Sequence, residues 1–374
     1  MAVKGTIVVF FVIASATLLF VSPPPSADAH PLAFCHFDQI YQLGDSISDA
    51  GNLIRESPLG AFLPFARAPY GQTLLTHEAT GRCSDGLLMI DYIALASGLP
   101  LVNPIKDAKA SFMHGANFAV AGATALSSAT LDRHKIRNPV TNSSLDVQLE
   151  WMKDHFYEFC GSQRHCETKL RNALFMVGEI GGNDYNYAFF SNKRKVEILD
   201  FVPQVVASIK KAVERVISFG ARRIVVPGNF PIGCLPVYLT GFNTDNPDDY
   251  DENHCLKGLN SFATLHNSLL KRAISELQKE NPQVTIAYGD YYGAFQHLLQ
   301  IAKSRGFELQ RACCGGGGEY NFNQTRMCGY PGATACPDPY RYVSWDGIHM
   351  TQEAYHIMVD WLLADFLWKL HCHR

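Results

Sequence analysis

The sequence predicts an α/β fold, with a parallel sheet carrying helices on both faces. Three observations carry that expectation. Short apolar runs recur along the chain, each stopped by turn residues, as in strands buried on both faces. The longer segments between them repeat apolar residues at helical spacing. Strand and helix signals alternate, which is the pattern of β-α-β units.

The elements follow in chain order. Lys4 precedes an apolar stretch over residues 7–21, then Pro23-Pro24-Pro25 and Ala27-Asp28-Ala29. A charged start, an apolar centre and small residues at the cut read as a secretory signal peptide over residues 1–29. Cleavage there starts the mature chain at His30. The first strand is Ile40-Tyr41-Gln42-Leu43 before Gly44, and the second is Ala173–Val177 before Gly178. The third covers residues 224–226 before Pro227-Gly228, and the fourth residues 284–288 before Gly289-Asp290. Val202, Val205, Val206, Ile209, Val213, Val216 and Ile217 recur at helical spacing, as do Leu259, Phe262, Leu265, Leu269, Leu270, Ile274 and Leu277. Residues 354–370 close the chain with another helix. No Pro/Ser linker, composition break or repeat follows the leader, so residues 30–374 are expected to form one domain.

With 374 residues, 47% of them hydrophobic and 18% charged, the chain can bury a sizeable core. A net charge of −3 argues against an electrostatic nucleic-acid binder. Lys193-Arg194-Lys195 reads as a solvated loop or helix start. After the leader no apolar run reaches the ~18 residues a membrane span needs, so a soluble monomer is expected.

Secretion decides how the 11 cysteines read. In an oxidising compartment they form disulfides. Cys160 and Cys166 are close enough to staple a surface loop. Cys313, Cys314, Cys328 and Cys336 cluster in a Gly-rich segment that needs covalent support. Cys234 and Cys255 are further candidates; connectivity is left open by the spacing. The odd count leaves at least one thiol unpaired, with Cys372 near the chain end as the candidate, and Cys35 and Cys83 complete the set. No C-x-x-C pair and no H-E-x-x-H string is present, so neither metal nor cofactor is expected. The glycines at 315–318 lack a preceding strand or a Lys-Ser/Thr and read as a braced loop, not a phosphate cradle. Asn142 and Asn323 head glycosylation sequons.

In open α/β sheets, ligands sit beyond the carboxyl ends of the strands. Ser46 stands there, after the first strand, in Gly44-Asp45-Ser46-Ile47-Ser48-Asp49. A serine opening a turn into a helix lies near backbone N–H donors that stabilise an oxyanion. The competing reading is a helix-capping serine. Asp346 precedes His349 by three residues, so one turn presents both; a serine nucleophile needs such a base, and the base needs a carboxylate. The competing reading is an aspartate capping the helix near Thr351. Gly122, in a small-residue segment, and Asn183, after the second strand, offer a backbone N–H and a side-chain amide. With the N–H of Ser46 they would complete an oxyanion hole.

In this order, the blocks around Ser46, Gly122, Asn183 and His349 resemble the GDSL family of esterases and lipases, also called SGNH hydrolases. Gly81-Arg82-Cys83-Ser84-Asp85-Gly86, the block from Val226 to Cys234, and Cys313-Cys314-Gly315-Gly316 are similar to its secreted plant branch. The resemblance implies a three-layer α/β/α, flavodoxin-like fold with Ser46 as nucleophile, His349 as base and Asp346 orienting it. It also implies Gly122 and Asn183 in the oxyanion hole. Leu43 stands where Phe is usual, Ile47 where Leu is, and Ala121 where this branch often has Gly. An α/β-hydrolase elbow is excluded, because Ser48 occupies the place of its second glycine.

The implied activity is a secreted serine ester hydrolase, EC 3.1.1, acting through an acyl-enzyme on a small-molecule ester. Residues 41–56, 114–126 and 178–189 are most similar to members that deacetylate an indole alkaloid, which points to short acyl groups on a specialised metabolite. The alternatives are an acyltransferase with the same site, a lipase on longer chains and a non-catalytic secreted binding protein. The implied compartment is the secretory route to the apoplast or the vacuole.

Overall fold

A computed structural model describes residues 30–372 except Asn192; the expected leader and its cut site lie outside the described residues. Five parallel strands form the central sheet: β1 (Gln39–Leu43), β2 (Gly115–Asn117), β3 (Ala173–Val177), β4 (Arg223–Pro227) and β5 (Thr285–Gly289). Their order is β2-β1-β3-β4-β5. β1 and β3 are buried along their whole length. That accounts for their unbroken apolar character, since a strand covered on both faces has no solvent side.

The larger helices are α1 (Met89–Ala96), α2 (Leu145–Cys160), α3 (Gly182–Phe189), α4 (Val202–Phe219), α5 (Lys257–Glu280), α6 (Tyr291–Ser304) and α7 (Gln352–Lys369). α4 packs between α2 and α5, and α7 between α1 and α6; β5 touches a member of each group. This is the expected three-layer α/β/α arrangement. The strand order places a switch point at β1, whose neighbours β2 and β3 are reached in opposite directions, and a ligand crevice opens beyond such a point.

β2 escapes a sequence reading because Gly115-Ala116-Asn117 has no apolar run. Gly115 sits at φ +104°, and a Cβ there would lie 1.9 Å from the Ile40 carbonyl oxygen. Only glycine lets this edge strand approach β1.

Small sheets follow the core: β6 (Glu308–Ala312), β7 (Cys314–Gly315), β8 (Thr334–Ala335) and β9 (Tyr342–Ser344). β6 pairs with β9 in parallel, and β7 with β8 antiparallel. Disulfides join Cys35 to Cys372, Cys160 to Cys166, Cys234 to Cys255, Cys313 to Cys336 and Cys314 to Cys328. Cys160–Cys166 links the end of α2 to the short helix Gln163–Lys169. The unpaired thiol is Cys83, not Cys372. α7 carries Cys372 back to the N-terminal turn Pro31–Cys35, whereas Cys83 is sealed in the core.

Candidate active site

Three loops converge beyond the carboxyl ends of β1, β2 and β3. The Phe118 N–H donates to the Gln42 carbonyl at 2.7 Å, and the Val120 N–H to that of Gly44 at 3.1 Å. The Asp45 N–H donates to the Glu179 carbonyl at 2.9 Å. Gln148 from α2 grips Gly44 on both sides, its Oε1 accepting from the N–H at 2.9 Å and its Nε2 donating to the carbonyl at 2.8 Å.

Ser46 lies in a tight turn, not at the mouth of an α-helix as expected. The Asp45 carbonyl accepts from Ser48 and Asp49, closing one helical turn. The buried Asp49 carboxylate then takes the N–H groups of Gly51 (2.7 Å), Asn52 (2.5 Å), Leu53 (3.0 Å) and Ala121 (2.8 Å). Donors that would have continued a helix are consumed by a side chain. Ser46 therefore caps nothing.

His349 Nε2 stands 2.7 Å from Ser46 Oγ, and His349 Nδ1 stands 2.7 Å from Asp346 Oδ2. The other Asp346 oxygen accepts the backbone N–H groups of Ile348 (3.0 Å) and His349 (2.8 Å). The helix cap on α7 is Thr351, whose Oγ1 accepts from the Ala354 N–H, so Asp346 is not used there. Burial would raise the Asp346 pKa, but the His349 charge and its hydrogen bonds outweigh that and hold it below the ordinary carboxylate range. A carboxylate kept ionised beside Nδ1 fixes the tautomer that leaves Nε2 free to accept the Ser46 proton.

Asn183, in the first turn of α3, donates from Nδ2 to the Ala123 carbonyl at 3.0 Å, and its Oδ1 accepts from Asn186 at 3.3 Å. Both ends of the amide are thus assigned, and one Nδ2 hydrogen remains to point elsewhere. The Ala121 N–H is spent on Asp49, which leaves the Gly122 N–H as the neighbouring donor. Gly122 sits at φ +82° against Val140, whose Cβ a Gly122 Cβ would meet at 2.6 Å. Gly122, Asn183, Ser46 and His349 line one cavity of about 370 Å³. Its apolar wall is built chiefly from Phe65, Val140, Phe190, Val237, Phe322 and Ile348. Arg137, at the rim, is the charged side chain of that lining.

The sequence reading did not reach Tyr70, whose phenol donates to Asp346 Oδ2 at 2.8 Å. It also missed the wall at residues 137–140, held by Asn138 Nδ2 donating to the Gly122 carbonyl at 2.9 Å. No local pattern marks either. The Gly81–Gly86 block serves as a support: Ser84 Oγ donates to the Met350 carbonyl at 3.2 Å, and Asp85 accepts from the Gln352 N–H at 2.8 Å. Asn142 is exposed and Asn323 half-buried. Among the described residues no His/Cys/Asp/Glu group is arranged to hold a metal.

Four carboxyls lie buried around the turn after β1. Burial first of all raises Asp49 to about 6, Asp45 and Asp184 to about 7, and Glu179 to about 8. Each holds a proton more tightly in the folded chain than in the unfolded one. Their contribution to stability is complete below the unfolded carboxylate range and is lost as pH rises through these values. His266, lowered to about 4 by burial, works in the opposite sense only below about pH 6.5. The melting temperature is therefore expected to fall between pH 6.5 and 8.5. A thermal scan across that interval checks this, and a rise would contradict it.

The model of the GDSL-like lipase/acylhydrolase family matches residues 40–362. Acetylajmalan esterase of Rauvolfia serpentina is 43% identical over 341 residues, covering 90% of this chain and 88% of its own. A GDSL esterase/lipase of Arabidopsis thaliana is 45% identical over 331 residues, covering 87% of this chain and 85% of its own. Another from the same plant is 40% identical over 358 residues and covers 96% of each chain.

Proposed function

The chain belongs to the GDSL-like lipase/acylhydrolase family and is a carboxylic ester hydrolase; from that premise we propose that Ser46 carries the acyl group of a short-acyl, small-molecule ester. The observation behind this reading is the unbroken line from Ser46 Oγ through His349 to Asp346, with 2.7 Å at each step, on the wall of the cavity. Ser46 Oγ attacks the ester carbonyl as His349 Nε2 takes its proton. Charge develops on the carbonyl oxygen, and the N–H groups of Ser46 and Gly122 and the Asn183 amide receive it. His349 then protonates the leaving alcohol, Ser46 keeps the acyl group, and water activated by His349 releases it. An acceptor alcohol in place of water would make the same site an acyltransferase.

Short acyl groups are favoured by the cavity's size, which lies at the low end for ligand sites, and by the likeness to a relative named acetylajmalan esterase. The chain itself is read as a glycoprotein of the secretory route, on its leader, its disulfides and the accessible Asn142. No described helix is long and apolar enough to cross a membrane.

A hydrolysis panel tests the substrate reading. With the p-nitrophenyl series, kcat/KM is expected to peak at acetate to butyrate and fall for laurate, and acetylated alkaloids are included as natural candidates. With Arg137 at the rim, a neutral alcohol is expected to outrun a cationic one of equal size. A clear preference for long-chain triacylglycerols, or no hydrolysis of any ester, would overturn the proposal.

A further inference from the structure

Tyr70 has no place in the chemistry described so far, yet it is 1% exposed and its hydroxyl is committed to Asp346. It reaches the same carboxylate oxygen, Oδ2, that holds His349 Nδ1. Asp346 thus receives four donors in two pairs: backbone N–H groups on Oδ1, and one phenol plus one imidazole on Oδ2. The backbone pair fixes where the carboxylate sits. The phenol fixes the direction in which Oδ2 presents its remaining lone pair, toward Nδ1.

The phenol is itself well held. Its ring packs edge-on against Trp345 at 5.9 Å and Phe65 at 5.2 Å between centroids. Phe65 in turn lies edge-on to His349 at 6.3 Å and lines the cavity. The disulfide-bonded Cys313, Cys314 and Cys328 complete a buried cluster with Tyr70 and Trp345. A purely structural phenol needs a partner, but many backbone carbonyls would serve; this one spends a buried donor on the carboxylate behind the base.

We infer that Tyr70 is a positioning residue, whose hydroxyl aims Asp346 Oδ2 at His349 and tempers the pull of that carboxylate on the imidazolium. The inference rests on the Ser46–His349–Asp346 reading. The other titratable groups facing the pair are Asp45 from the turn after β1, Cys83 from the Gly81–Gly86 block and Tyr355 from α7.

Removing the hydroxyl leaves Asp346 with one donor fewer and a stronger pull on protonated His349. In Tyr70→Phe, kcat on a short-acyl p-nitrophenyl ester is expected to fall about tenfold with KM little changed, as for loss of a hydrogen bond to a charged group. The acid limb of kcat/KM is expected to move to higher pH by about half a unit, since a less stabilised carboxylate favours the charged imidazole. Placing 2,3-difluorotyrosine at position 70 keeps the ring and strengthens the donor, so the limb should move to lower pH. This arm decides the matter if Tyr70→Phe does not fold. Fluorophosphonate labelling of Ser46 is run on every protein. A parent that does not label sinks the Ser46 reading itself. A parent that labels, beside variants whose kcat and acid limb match it while only the melting temperature drops, overturns the positioning role alone.

Discussion

Ser46→Ala is expected to lower kcat for ester hydrolysis by about a millionfold, the scale seen when a nucleophile that works with a base is removed. The loss should not come from unfolding. Ser46 is largely buried, its backbone turn is closed by Asp45 and Asp49, and its Oγ touches His349. Alanine keeps the Cβ and loses one hydrogen bond, worth about 1 kcal/mol, so the melting temperature should hardly move. Fluorophosphonate labelling should vanish with the hydroxyl. A folded Ser46→Ala protein that keeps more than a hundredth of the parental kcat would remove Ser46 from the chemistry.

Asn183→Ala is expected to cost about 10²–10³ in kcat, or about 3–4 kcal/mol, with little change in KM. The amide has one hydrogen on the Ala123 carbonyl and its oxygen on Asn186, so its second Nδ2 hydrogen is the one available to a developing oxyanion. A donor that acts only as charge develops changes the barrier and not the binding of substrate. The loss of the Ala123 contact adds a separate, smaller cost to stability, which a melting curve resolves. Unlike Ser46→Ala, this variant should still label with fluorophosphonate, but slowly. If a folded Asn183→Ala enzyme stays within threefold of the parental kcat while acylation limits the rate, Asn183 shapes a turn and nothing more.

The sheet was legible where burial forces an unbroken apolar run. β1, β3, β4 and β5 all carry one, within a residue or two of their observed ends. β2 does not, because its three residues, though buried, are Gly, Ala and Asn, and its Gly115 serves close approach. α4 and α5 announce themselves by period, while α7 shows only as a long segment apolar on most sides; α2, which the sequence reading passed over, carries the period at Leu145, Leu149, Met152 and Phe156. Asp346 and His349 were legible because three residues of chain bring them together. Tyr70 was not, because it lies 276 residues from Asp346 and only the finished fold joins them. The cysteines divide in the same way. Cys160 and Cys166 lie six residues apart and can be paired on paper. The partner of Cys35 depends on where α7 ends in space.

That last pairing alters what a protease can do to this protein. Cys35 and Cys372 are 337 residues apart, so their bond turns almost the whole described chain into a covalent ring. Cutting a ring once opens it without dividing it. The exposed loop over residues 243–249 is one place where a protease would find purchase. A single cut there leaves β4 and β5 on opposite sides of the break, yet both pieces remain one molecule through the clasp and through Cys234–Cys255, which spans the same loop. The nick costs chain continuity at a loop remote in sequence from Ser46 and His349, and neither piece can diffuse away while either bond stays oxidised. A first cleavage at that loop thus leaves the enzyme a single body.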